Sequence, residues 1–297
     1  MSPSTAEMTA AVAGAVTVVV ISRDRRDSLL NTLARLRGLP QAPPVVVVDN
    51  ASSDATDQAV RDNYPDVDVV RLDHNRGAAG RTVGVLRATT PYVAFSDDDS
   101  WWDEGALDRA ASVLDEHPEL AVVAGRIMVG PEARLDPVCR EMRGSPLGDV
   151  PGAGPLILGF VACAAVVRRS AYLEAGGFHP RYGVGGEEAL LAIDLAERGW
   201  QCAYVDGVVA RHHPSPQRAV GPREARVVRN DLWTLWLRHR PWAALTGTLR
   251  RLRGWPTEPP VRAGLRQAVA GWRWVLRERV TVTAETWRHL QRLSLAR

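Results

Sequence analysis

The feature that most constrains this chain is a series of wholly apolar, β-branched segments separated by stretches of helical spacing. "VTVVVIS" (16–22), "PVVVVDN" (44–50), "VDVVRL" (67–72) and "YVAFS" (92–96) are each of strand length. Between them, "DSLLNTLARLRG" (27–38) sets Leu29, Leu33 and Leu36 at helical spacing, and Gly38 ends it. Residues 54–63, 78–89 and 104–117 also read as helices. A strand without polar alternation is buried on both faces. The alternation predicts an α/β fold, a mostly parallel sheet covered by helices on both sides. Right-handed crossovers bring the strands' C-terminal ends to one edge, where ligands bind in such sheets.

Polar residues follow three of these strands at once: Ser22-Arg23-Asp24, Asp49-Asn50 and Ser96-Asp97-Asp98-Asp99. The topology predicts that they converge on one rim. An Asp or Ser there can simply cap the next helix or turn. Three adjacent aspartates exceed that need, because one or two would cap and the rest repel. A divalent cation is the usual partner of such a cluster.

Past residue 120 the pattern changes. "LAVVAGRIMVG" (120–130) reads as a strand, and the Gly/Pro-rich 134–155 as a flexible loop. Residues 156–169 read as a strand or strand pair, 170–177 as a helical turn or two, and 185–200 as an amphipathic helix. Residues 201–216 read as a strand, a turn at Asp206-Gly207 and a second short strand. The opening "MTAAVAGAVTVVVIS" lacks the basic start of a secretion signal, so 1–15 is expected as a disordered lead. No apolar run reaches the ~18 residues of a membrane span. Cys139, Cys163 and Cys202 are far apart with no metal or redox spacing, so they read as core residues of a cytoplasmic protein.

The net charge of +3 conceals an asymmetry. Residues 1–217 hold 20 Arg against 29 acidic residues, whereas 218–297 hold 17 Arg against five, with seven of the ten Trp. The shift sets an expected boundary between a domain at 16–216 and a helical C-terminal region at 217–297. In that region Leu265, Val269, Trp272, Leu276 and Val280 keep helical spacing, flanked by Arg266, Arg273, Arg277 and Arg279. Such a stripe either packs on the preceding domain or seats peripherally at an anionic membrane surface on the inner face. Nothing else in the chain supports nucleic-acid binding.

Five ordered motifs, "VVVVDNASSDAT", "HNRGAAGRTVGV", "FSDDDS", "AGGFHPRYGVGGEEALLAIDLAERG" and "VVARHHPS", resemble those of the family 2 glycosyltransferases between about Val16 and Pro216. No "QRRW"-type stretch is present, which argues against a processive polysaccharide synthase. The resemblance implies a GT-A fold, a nucleotide-diphosphate sugar donor, a divalent metal (Mn²⁺ or Mg²⁺) and inverting transfer of a hexosyl or deoxyhexosyl group. The acceptor is then a glycan, a lipid-linked carrier or a small molecule, as in cell-envelope glycan synthesis. A sugar nucleotidyltransferase usually needs a glycine-rich phosphate loop near the first strand, and "ISRDRRDS" has no glycine. A nucleotide-sugar-binding protein without transfer activity is the other alternative.

The resemblance also implies site residues. Asp97 and Asp99 match the family's metal-binding pair, Asp98 filling the middle place; a shift of one residue would make Asp97 and Asp98 the pair. His212 or His213 completes the metal site, and an imidazole suits Mn²⁺ better than Mg²⁺. Asp49 resembles the base-contacting aspartate. Ser22, Arg23 and Asp24 border the nucleotide, and Asn75, Gly77 and Arg81 match its flanking segment, with Arg81 reaching toward a phosphate. Glu187 and Glu188 match an acidic pair whose second member deprotonates the acceptor; Glu at a helix start also complements the helix dipole.

Overall fold

A computed structural model describes residues 14–214, 220–253 and 257–295. Its first half follows the expected alternation: β1 (Val16–Ser22), α1 (Arg26–Arg37), β2 (Val45–Asp49), α2 (Thr56–Asn63), β3 (Asp68–Arg71), α3 (Gly80–Arg87) and β4 (Tyr92–Asp97). These strands run parallel in the order β3-β2-β1-β4. The reason is in the side chains: Val18, Val19, Val20, Val47 and Val48 are fully buried, so both sheet faces need cover. Leu29, Leu33 and Leu36 of α1 supply part of it.

The second half adds β5 (Ser100–Trp102), α4 (Ala106–Glu116), β6 (Leu120–Val129), β7 (Arg134–Leu135), α5 (Pro137–Arg143), β8 (Asp149–Val150), β9 (Gly154–Ile157), β10 (Ala165–Arg168), α6 (Arg169–Glu174), α7 (Glu187–Ala196) and β11 (Gln201–His212). β10 lies antiparallel between β4 and β6, and β11 runs parallel to β6. The sheet is therefore mixed, though mostly parallel at its core.

Two expectations fail here. Residues 134–155 are not a flexible loop. Asp136 caps α5 by accepting the Val138 N–H at 3.0 Å, and buried Cys139 and Met142 tie that helix down. Residues 201–212 are one strand, without a turn at Asp206-Gly207. Pairing with β6 continues past a register shift between Val205 and Val209, so Asp206-Gly207 marks a bulge. All three cysteines are buried and free, as expected.

The C-terminal region forms α8 (Val220–Arg238), α9 (Pro241–Leu252), α10 (Pro259–Ala270), α11 (Trp272–Arg277) and α12 (Ala284–Leu295). Tyr182 and Leu190 of the preceding segment share one core with Val228, Leu232, Trp233, Leu265 and Trp274. Leu265 thus packs inward, whereas Val269, Trp272, Leu276 and Val280 are exposed. The expected boundary at 216/217 and most of the 1–15 lead lie outside the described residues.

Candidate active site

The three aspartates sit where β4 leaves the sheet and turns into β5. Their backbone is pinned from three sides. The Asp97 N–H donates to Ser100 Oγ at 2.7 Å. The hydroxyls of Ser28 and Thr32 on α1 each donate to the Asp98 carbonyl at 2.9 Å. The His213 N–H donates to the Asp99 carbonyl at 2.8 Å. The carboxylates then diverge. Asp97 pairs with Arg81, while Arg25 bridges Asp98 (3.1 Å) and Asp99 Oδ2 (3.0 Å). Burial pushes Asp98 up to about 7; Arg25 pulls against it, and the charges of Asp99 and Asp97 add to it.

β5 pairs antiparallel with the end of β11, setting His212 opposite Ser100. His212 Nε2 comes within 3.4 Å of Asp99 Oδ1. One ligand atom each from Asp97, Asp99 and His212 lies within 4.8 Å of the others. Two carboxylates and an imidazole form a donor set suited to Mn²⁺, with Mg²⁺ the harder alternative. His213 is not in this group: its ring rests on Trp101, 4.7 Å between centroids. His213 lies just past the end of β11, where the chain has turned its ring toward Trp101.

Arg81, at the start of α3, is only 4% exposed and is not a solvated helix residue. Burial opposes its charge, but Asp97, Glu187 and Glu188 together hold its pKa above the usual arginine value. Glu187 and Glu188 begin α7 just after left-handed Gly186 (φ 88°). Glu187 accepts the Gly185 N–H. Glu188 Oε1 accepts the Ala162 N–H at 3.3 Å. Burial, then the charge of Glu188, pushes Glu187 up to about 8; burial also raises Glu188. Arg81 thus joins the acidic turn and the glutamate pair in one electrostatic network.

A cleft of about 440 Å³ opens beside this network, with Ser22, Arg23, Asn75, Gly77, Asp97 and Asp98 in its lining. Arg81 also reaches it. Gly77 (φ 57°) owes its identity first to a protein contact, since a Cβ there would meet Gly183 Cα at 2.5 Å. Asn75 accepts the Gly77 N–H at 2.8 Å. Asp24 and Asp49 are not in the lining. Asp24 turns to Ser53, accepting its N–H and O–H, which lowers its pKa. Asp49 is fully buried; Oδ1 accepts the Ser52 N–H at 3.0 Å and Oδ2 lies 3.7 Å from Arg71. Sequence reasoning missed Arg25, Ser28 and Thr32. It also missed the work of Asn50, whose amide donates to the Gly77 carbonyl (3.0 Å) and accepts the Arg76 N–H (2.8 Å).

A mostly parallel sheet with polar groups and a cleft at its strand ends is the frame of a ligand-binding α/β protein. The sequence model described as Glycosyl transferase family 2 matches residues 17–176. The chain belongs to that family of glycosyltransferases. It is 26% identical over 290 residues to the N-acetylglucosaminyl-diphospho-decaprenol L-rhamnosyltransferase of Mycobacterium tuberculosis, covering 84% of this chain and 94% of that one. It is 32% identical over 215 residues to the same organism's pre-mycofactocin glycosyltransferase, covering 68% and 44%. Among solved structures, the Pyrobaculum calidifontis mannosyltransferase complexed with GDP-Man and Mn²⁺ aligns with a TM-score of 0.58 at 20% identity, covering 95% and 86%. Staphylococcus aureus TarS aligns at 0.61 and 18% identity, covering 88% and 80%. The fold is that of the GT-A glycosyltransferases.

Proposed function

We propose that this glycosyltransferase moves a sugar from a nucleotide-diphosphate donor to an acceptor hydroxyl, with inversion at the anomeric carbon. The observation that carries the reading is the Asp97–Asp99–His212 group joined through Arg81 to Glu187 and Glu188. Asp97, Asp99 and His212 would hold a divalent ion, which would supply positive charge against the departing diphosphate. Arg25 grips Asp99 through Oδ2, which leaves Oδ1 toward His212. Glu188 accepts the proton of the attacking hydroxyl, its raised pKa making it a stronger base than an exposed glutamate. Glu187 holds the Gly185–Gly186 turn that presents Glu188. Asn75, Gly77 and the β1 loop border the nucleotide.

The acceptor we infer is a lipid-linked sugar of the cell envelope, and the donor group a deoxyhexose or hexose. The M. tuberculosis rhamnosyltransferase, similar over most of both chains, supports this. No helix among the described residues is long and apolar enough to cross a membrane. Contact with the lipid is assigned instead to the exposed apolar faces of α9–α11.

The test is thermal unfolding with UDP-, GDP- and dTDP-sugars, with Mn²⁺ or EDTA, for wild type and Asp99→Ala. At about a hundred times Kd a bound donor adds about 2.7 kcal/mol of stability. One donor class should raise the melting temperature of wild type in Mn²⁺ alone, and Asp99→Ala should lose the shift. An equal shift in EDTA would remove the metal from this reading.

A further inference from the structure

The cleft holds more positive charge than one donor needs. Arg25 and Arg81 are paired with the aspartates. A second group lines the same cleft: Arg181, in the segment leading to Glu187, and Arg223, Arg226 and Arg229, spaced by three along α8. Among the described residues no carboxylate pairs with any of these four. Arg226 Nε is buried without a hydrogen-bond partner. Arg229 stacks on Trp233 at 4.3 Å and donates to the carbonyls of Arg181 and Tyr182, which locks α8 to the loop before the glutamate pair. Burial and the adjacent charge of Arg226 lower the pKa of Arg229, as expected of crowded cations.

A nucleotide-diphosphate sugar brings about two negative charges, which one divalent ion balances. The four arginines remain in surplus. Arg181 stands in the segment that leads to Glu187 and Glu188, the pair assigned to the acceptor, and Arg229 ties α8 to that segment through the Arg181 and Tyr182 carbonyls. We propose that Arg181, Arg223 and Arg226, steadied by Arg229, form an anion subsite for the phosphate or diphosphate of a phosphate-linked acceptor sugar. This rests on the transferase reading of the site. Guanidinium groups suit the task because their planar forks match phosphate oxygens in pairs. Such a subsite would select acceptors by their carrier linkage as well as by their sugar.

The probe is inorganic pyrophosphate, titrated calorimetrically in EDTA so that no metal-assisted binding contributes. Wild type should bind it, and the Arg223→Gln/Arg226→Gln variant should bind at least tenfold more weakly, with Arg223→Lys/Arg226→Lys in between. Unchanged melting temperatures would show that the variants fold. Binding of UDP, GDP and dTDP in Mn²⁺ should stay within about twofold of wild type in the glutamine variant. Equal loss of nucleoside diphosphate and pyrophosphate binding would assign these arginines to the donor and overturn the proposal. Unchanged pyrophosphate binding would overturn it too. If no nucleoside diphosphate binds with Mn²⁺ while pyrophosphate binding still depends on the arginines, the donor reading fails and the anion subsite stands.

Discussion

Glu187 is buried and Glu188 half-buried beside it, so their protonation belongs to the pair. A general base works deprotonated. Raised pKa values therefore predict that kcat/KM keeps climbing with pH above the ordinary carboxylate range. Glu188→Gln should lower turnover at least about a hundredfold with donor affinity nearly unchanged. Glu187→Gln should be milder and should move the acid limb to lower pH, because it removes the like charge beside Glu188. Stability gives an independent readout. A carboxyl whose folded pKa lies above its unfolded value contributes stability below about 4.5, and that stability is lost as pH rises through about 8. Glu187→Gln should therefore gain stability relative to wild type as pH rises from 5 to about 8. A limb that stays in place in this variant would uncouple the two groups. If Glu187→Gln slows turnover more than Glu188→Gln, their roles are exchanged.

Elements reach the site through contacts that differ in how visible they are in sequence. The parallel half was legible because doubly buried strands carry no polar alternation, and three aspartates at a strand end exceed any capping need. β5 was not, because a three-residue strand owes its existence to pairing with Ala210–His212, far along the chain. That register also sets His212, not His213, beside Asp99, which no local pattern could show. Arg25 reads as one loop arginine among several until Asp98 and Asp99 are placed beside it. Asp49 stands at the expected strand end, but the Ser52 N–H turns its carboxylate inward. Gly77 allows the contact between elements to be tested. Left-handed backbone costs alanine roughly 1–2 kcal/mol wherever it occurs. Gly105, also left-handed (φ 71°), has open space where a Cβ would go. Gly105→Ala should show that strain alone. Gly77→Ala adds the collision with Gly183, so it should lower the melting temperature further and weaken donor binding at least about tenfold. Equal effects of the two substitutions would show that the Gly77–Gly183 approach does not matter.

At the scale of the whole molecule, the C-terminal helices have two faces. The inner face holds Leu265, Trp274 and Val275 in a core with Tyr182 and Leu190, so deleting 261–297 would uncover the wall that carries the glutamate pair. Truncation therefore cannot isolate a surface role, but point substitutions can. On α9, Trp242, Leu245 and Leu249 are more than half exposed and follow a helical stripe. Trp236 connects this helix to α11, donating to Thr248 Oγ1 at 3.0 Å while its ring meets Trp272 at 4.9 Å. Val269, Leu276 and Val280 are exposed on the neighbouring helical segments, as are Arg250, Arg253, Arg273 and Arg277. Apolar groups that enter a lipid interface gain free energy by burial, and each basic residue near an anionic surface adds about 1 kcal/mol. Wild type should sediment with anionic vesicles more than with neutral ones, with binding that falls as salt rises. Leu245→Gln/Leu249→Gln should weaken vesicle binding at least about tenfold with little change in melting temperature, because both side chains are more than half exposed. Arg250→Gln/Arg253→Gln should remove most of the preference for anionic lipid while leaving the weaker, salt-insensitive component. Vesicle binding that is indifferent to both pairs would exclude this surface as the point of contact.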